Sequence, residues 1–254
     1  MKLISLNIWG GRRLEGLMNY IKSRKKDTDI FCFQEVYDTQ TNRKLVKRKF
    51  RADILKKIKN ELRRFDVYFV SNISDFSFAD SVNFDLCWGI AIFVKKSVSL
   101  IEAKSEYIWG YVDSELNQDM PKPRKVQLVK IEKEGKVYTI IHFHGLWVKN
   151  EKIDTKESLL QSQKIRGIMD KIHGNKIICG DFNLLPNTKS LLILEKDFTN
   201  LIKKYNITST RSKFYNKPDK YADYVLVSQR IKVNSFSVSN LNISDHLPME
   251  LDFV

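Results

Sequence analysis

The sequence predicts an α/β (α+β) fold, with two mixed, mostly antiparallel sheets packed face to face and helices outside. Three observations lead there. Short β-branched or aromatic-rich runs, bounded by turn residues, recur along the whole chain. Amphipathic helical patterns fall between them. Several of the runs follow one another closely enough to be hairpin neighbours. The 254 residues show no repeat, no Gly/Ser linker and no low-complexity block, so one domain over 1–254 is expected.

In order, the expected strands are KLISLNI (2–8), DIFCFQEV (29–36), VYFVSN (67–72) and GIAIFVK (89–95), then KVQLVKIE (125–132), VYTIIHFH (137–144) and KIICGDF (176–182). YVLVS (224–228), IKVNSFSVS (231–239) and PMELDFV (248–254) complete the set. The helical patterns are 14–25, with Leu14, Leu17, Met18 and Ile21 on one face, and 157–173, with Leu160, Ile165, Ile168 and Ile172. A third runs over 43–65, where Phe50, Ile54, Ile58 and Leu62 recur every fourth residue. The stretches 73–88 and 109–124 read as long irregular loops, which are often functional.

Composition narrows the class. A hydrophobic fraction of 43% supplies a core, while no run approaches the roughly 20 apolar residues of a membrane helix. The apolar start is interrupted at Asn7 and Gly10-Gly11, too early for a secretion signal, so a cytoplasmic protein is expected. Cys32, Cys87 and Cys179 are odd in number and widely spaced, as buried reduced thiols are. Lys and Arg outnumber Asp and Glu by 44 to 30, a net +14 that favours a polyanionic partner such as nucleic acid or an anionic membrane surface. The basic helix expected over 43–65 concentrates this charge, with only Asp53 and Glu61 opposing it. A solvated face and a nucleic-acid backbone contact weigh about equally there.

Six polar stretches sit at the ends of apolar strands, where a rigid scaffold presents side chains to a cleft. They hold Asn7 in LNIWGG, Glu35 in FCFQEVYD, His142 and His144 in IIHFHGLW, Asp181 and Asn183 in IICGDFNLLPNT, Asp223 in YADYVLVS, and Asp245-His246 in ISDHLP. Each alone has an ordinary reading: a turn cap, a surface acid, a satisfied core histidine. Together they make a toolkit. Carboxylates hold a hard cation, a carboxylate can take a proton from water, and histidines with an amide can stabilise charge on a phosphate.

The ordered set LN, QE, HG, GDFN, DY and SDH, spanning 6–248, resembles the endonuclease/exonuclease/phosphatase superfamily. The resemblance implies a four-layer α/β sandwich and metal-assisted hydrolysis of a phosphate ester. It implies Glu35 as ligand of Mg²⁺ (Mn²⁺ as the alternative), with Asn7 and Asp245 beside it. Asp181 resembles the base that aligns water, and Asn183 the residue orienting that carboxylate and the phosphate. His246 would face the phosphate with Asp223 on its other nitrogen, and Arg124 would contact phosphate. His144 stands where abasic-site enzymes of the superfamily carry Tyr, which argues against that branch. Its expected acidic partner is open among Asp75, Asp80 and Asp85, and His142 is left structural.

For substrate, the +14 charge and the basic 43–65 stretch favour a nuclease or DNA-end-processing phosphodiesterase, acting as a monomer. A phospholipid (sphingomyelinase-like) or inositol-polyphosphate hydrolase is the alternative, on the shared His144 and on Trp9, Trp88, Trp109 and Trp147 as membrane contacts. A catalytically silent binding module is disfavoured by the complete polar set.

Overall fold

The computed structural model describes residues 1–45, 49–77, 80–110, 122–147 and 152–254, the side chains of 76, 77, 80 and 81 excepted. In chain order the strands are β1 (Lys2–Asn7), β2 (Ile30–Asp38), β3 (Phe65–Ser74), β4 (Phe76–Ser77), β5 (Asp80–Ser81), β6 (Cys87–Lys95) and β7 (Ser99–Trp109). They continue as β8 (Arg124–Lys133), β9 (Lys136–His144), β10 (Asn175–Asp181), β11 (Phe198–Asn200), β12 (Asp223–Ser228), β13 (Val233–Val238) and β14 (Met249–Phe253). The helices are α1 (Leu14–Arg24), α2 (Ile54–Glu61), α3 (Lys156–Asp170), α4 (Lys189–Glu195) and α5 (Leu201–Lys204).

Two six-stranded sheets result, ordered β13-β14-β1-β2-β6-β3 and β11-β12-β10-β9-β8-β7. Each has one parallel pair, β1 with β2 and β9 with β10. A parallel pair needs a crossover, and α1 and α3 lie in those two connections. Strand alternation then sorts side chains between layers. In β1, Ile4 and Leu6 pack with Leu17 and Ile21 of α1 and Ile54 and Ile58 of α2, whereas Leu3 joins the core shared with the second sheet. The expected sandwich of two sheets between helices is the one observed.

The carboxyl ends of both parallel pairs meet at one edge of the sandwich. Asn7 pairs in register with Gln34, and His144 with Asp181. Ligand sites of open α/β sheets gather at such strand ends.

The stripe Phe50, Ile54, Ile58, Leu62 is buried throughout, but the helix it suggested over 43–65 contracts to α2. Leu45 and Arg51 form an isolated bridge, and Lys49, in the loop just before α2, has a φ of 63°. Phe50 reaches the core from that loop, against the Tyr37 ring. The four-residue period therefore reported burial, not helix length. Lys47 and Arg48 of the basic run lie outside the described residues. Arg51 and Lys57 pair with Asp53, and Lys25, just past α1, pairs with Glu61, so both acids of the stretch are engaged.

Strand β7 escaped detection because it is an exposed edge strand that buries almost nothing. The stretch 73–88 is less irregular than expected, since β3 extends to Ser74 and β4 pairs with β5. Most of 109–124 lies outside the described residues.

Candidate active site

Two glycines let the strands place the polar residues. A Cβ on Gly180, whose φ is 143°, would lie 1.9 Å from the Phe143 carbonyl oxygen, so only glycine lets β10 lie against β9 just before Asp181. A Cβ on Gly89 would lie 1.9 Å from the Val70 oxygen. Gly89 faces Val36 where the β2–β6 register shifts and leaves Glu35 unpaired. Simple alternation would send Glu35 to the helix side with Phe31 and Phe33. The bulge, with a φ of 58° at Glu35, turns the carboxylate toward Asn7 instead. Trp9 and Asn183 also carry positive φ, at 51° and 55°, and all three residues line one cleft of about 220 Å³. Such strain persists only where surrounding structure holds it, and it gathers at functional sites.

Glu35, Arg124, His144, Asp181, Asn183, Asp245 and His246 all line this cleft. Asn7 Nδ2 bridges two of the acids, donating to Glu35 Oε1 (3.1 Å) and Asp181 Oδ2 (3.0 Å). Its Oδ1 accepts from the Trp9 N–H, so the cluster meets the amide nitrogen of Asn7. Asp181 Oδ1 accepts from the Asn183 N–H at 3.0 Å, while Asn183 Nδ2 donates to the Gly145 oxygen. His246 Nδ1 spans both oxygens of Asp223 at 2.9 and 2.8 Å, as the resemblance implied, and its Nε2 lies 3.5 Å from Asp181 Oδ2.

The electrostatics separate the acids. Burial, then Asp245, pushes the Glu35 carboxyl up to about 7, against His246 and Asn7. Burial would also raise Asp181, but His246, His144, Arg211 and Lys152 together hold it well below the usual range. Burial pushes His144 down to about 3, with Asp181 opposing. Burial and Arg211 lower His246, yet Asp223, Asp181 and Asp245 outweigh them and raise it overall. Arg124 is lowered by burial to about 10, with Glu35 and Asp181 opposing; its Nε donates to the Gly145 oxygen and its guanidinium lies over the Trp88 ring.

Two groupings could hold a cation. Asp181, Asp223 and His246 bring ligand atoms within 4.8 Å of one another, but His246 Nδ1 is already bound by Asp223. Glu35 with Asp245 offers oxygens alone, the donors a hard cation takes. Burial first, then the Asp245 charge, raises Glu35, and this all-oxygen donor set fits Mg²⁺ or Mn²⁺. Among the described residues no acid of 73–88 meets His144. Its Nδ1 has no partner among the described residues, Asp85 binds the Gln40 N–H instead, and the Asp80 side chain lies outside them.

Sequence reasoning missed Arg211, Lys152 and Tyr215. Arg211 forms an isolated bridge with His246 and lines the cleft with Tyr215 and Lys217. Lys152 is buried nearby, lowered by burial, then Arg211, to about 8. Their stretches read as polar loops, and no local pattern distinguished them.

The site and sandwich define a hydrolase of the phosphoesterase type. Residues 4–246 match the Endonuclease/Exonuclease/phosphatase family, and the chain belongs to that family, whose members act on phosphate esters. No curated protein matches its sequence. Among solved structures, the mannosyl-6-phosphatase of Bacteroides thetaiotaomicron is similar at 16% identity and a TM-score of 0.72, over 100% of this chain and 99% of that one. The human Nocturnin catalytic domain is similar at 17% identity and 0.71, over 100% and 93%. Humanized D. rerio TDP2 is similar at 12% and 0.67, over 100% and 98%. At these identities the likeness concerns the fold.

Proposed function

We propose that this chain is a divalent-metal-dependent phosphodiesterase acting on nucleic acid, as a nuclease or an end-processing enzyme. The observation that carries the hydrolytic reading is Asp181, fixed on both oxygens by Asn7 and Asn183 and approached by His144 at 3.6 Å and His246 at 3.5 Å. A carboxylate so held stays ionised and aimed, able to orient a water and accept its proton. Its depressed pKa makes orientation the larger share of its work. Asp223 fixes the His246 ring, whose Nε2 lies at the cleft against Arg211 Nη1. His144 and Arg124 border the same space. A divalent cation bound by Glu35 and Asp245 would neutralise charge on the phosphate and leaving oxygen.

The nucleic-acid reading rests on charge and rings. Arg12 lies over Trp9 and Lys217 over Trp147, all four lining the cleft, and Arg13 lies over Phe214, which stacks on Trp9. Single strands are gripped by such combinations. Of the four tryptophans only Trp147 is exposed, which offers a lipid surface little.

The test is metal-dependent cleavage of single- and double-stranded DNA, RNA, a 5′-tyrosyl end, sphingomyelin and an inositol polyphosphate, with EDTA and Asp181→Ala as controls. Cleavage of nucleic acid, lost in both controls and weakened steeply by salt, is expected. Asp181→Ala should cost on the order of a hundred- to ten-thousandfold and leave the fold intact. Turnover of the lipid or inositol substrate alone would refute the nucleic-acid reading.

A further inference from the structure

Arg211 is a buried cation with little to bind. Its side chain is 7% exposed, yet its Nε has no partner among the described residues. One terminal nitrogen, Nη1, meets His246 Nε2 and comes within 3.6 Å of Asp245 Oδ2. A guanidinium carries five N–H donors, and these two neighbours engage a single nitrogen of it. Burial acts against the charge, but Asp181, Asp223 and Asp245 keep Arg211 protonated. A charged group left so incompletely bonded at low exposure is costly unless something else meets it.

Its backbone is placed with care. The Ser212 N–H donates to the Asp245 oxygen, and the Leu247 N–H to the Thr210 oxygen. Thr210 Oγ1 accepts from the N–H groups of Ala222 and Asp223. The segment carrying Arg211 is therefore tied to the two strand ends that supply Asp223 and His246. The guanidinium lies over the Tyr215 ring at 4.2 Å, which supports its plane without using its donors. These ties fix the fork beside the residue expected to face the phosphate, and Arg211 lines the same cleft.

We propose that Arg211 is a phosphate-binding residue, gripping substrate phosphate oxygens from the His246 side of the cleft through the donors that meet no partner among the described residues. This rests on the reading of the cleft as a phosphoester site. A planar fork suits two phosphate oxygens, which a lysine at the same place addresses only as a point charge. The contact with His246 requires Nε2 to be the acceptor in the unliganded protein, so Arg211 also fixes the imidazole proton on Nδ1 toward Asp223.

The test needs no turnover. Binding of inorganic phosphate to EDTA-treated protein is measured calorimetrically for the wild type, Arg211→Ala, Arg211→Gln and Arg211→Lys, with the thermal midpoint of each. Wild type should bind. Ala and Gln should bind roughly ten- to a hundredfold more weakly, the scale of charge-assisted hydrogen bonds, and Lys should fall between. If Ala fails to fold, the Gln variant, close in length and able to donate, decides in its place. Phosphate affinity unchanged in the folded neutral variant, with at most a lower midpoint, would overturn the proposal and make Arg211 a structural ion-pair partner. Absence of phosphate binding by the wild type would also overturn it. Failure of the nucleic-acid arms of the cleavage panel, with turnover of the lipid or inositol substrate and Arg211-dependent phosphate binding intact, would instead fault the nucleic-acid reading alone.

Discussion

His142 and His144 stand two residues apart on β9, and each lies toward the other sheet, yet they live differently. His142 is satisfied on both nitrogens, by Gln34 Nε2 at 2.6 Å and Gln127 Oε1 at 2.9 Å. Gln34 also donates to Ser5 Oγ, and Gln127 to the Tyr68 oxygen, so the ring ties both sheets together. His144 lies against Trp88, with Nδ1 unpaired among the described residues and Nε2 3.6 Å from Asp181. Burial holds both near 3. Burial thus does not separate the two rings, whereas hydrogen-bond completeness does. Cavity size fails as a guide too. A hollow of about 740 Å³ lined by Lys25, Lys26, Arg63, Arg64 and Lys95 exceeds the candidate cleft in volume and has Glu61 as its one carboxylate.

The largest expected effect is common to both histidines. Their folded pKa values lie below the ordinary 6.5, so each contributes stability that is complete above that value and lost as pH falls toward 3. A shift of this size corresponds to about 5 kcal/mol per ring. Metal-free protein should therefore unfold cooperatively in mild acid, followed by circular dichroism. His144→Gln should move the acid midpoint lower. A midpoint unmoved by that change would break the parallel between the two rings.

Substitution at pH 7 should then separate them. His144→Ala is expected to lower kcat by on the order of a hundred- to a thousandfold, as loss of one charge-stabilising donor does, with little change in unfolding by urea. His142→Leu should do the reverse. It strands Gln127 Oε1, costing about 1–3 kcal/mol, while kcat stays near wild type. Equal catalytic losses in both variants would mean that the tie between the sheets positions the site as strongly as His144 serves it.

The comparison also shows what the sequence could carry. Apolar runs marked β1, β2, β9, β10 and β14, because buried strands must be apolar on both faces or alternate. The polar residues at their ends stood out against that background, so Asn7, Asp181 and His246 were visible. Glu35 was visible as a residue but not as a bulge, since FCFQEVYD shows nothing of the register shift opposite Gly89. Strand β7, exposed along most of its length, buries too little to leave a pattern. Arg211 becomes special only when the chain brings it beside His246, thirty-five residues on.

The smallest effect concerns the acid that bulge turns inward. Glu35 is raised to about 7 by burial and Asp245, opposite in sign to the histidines. Its contribution to stability is full below the ordinary carboxylate pKa and lost as pH rises through 7. Metal-free Glu35→Gln should accordingly match wild type near pH 4 and exceed it at pH 8 by up to about 3 kcal/mol. A cation requires the ionised carboxylate, so Mg²⁺ or Mn²⁺ affinity should rise as pH rises toward 7, by up to about tenfold per unit, and level off above it. Titration calorimetry in buffers of differing ionisation enthalpy would record the released proton, and its absence in Glu35→Gln would assign it. Affinity independent of pH between 5.5 and 7 would remove Glu35 from the metal site, and with it the reason for holding a glutamate at positive φ.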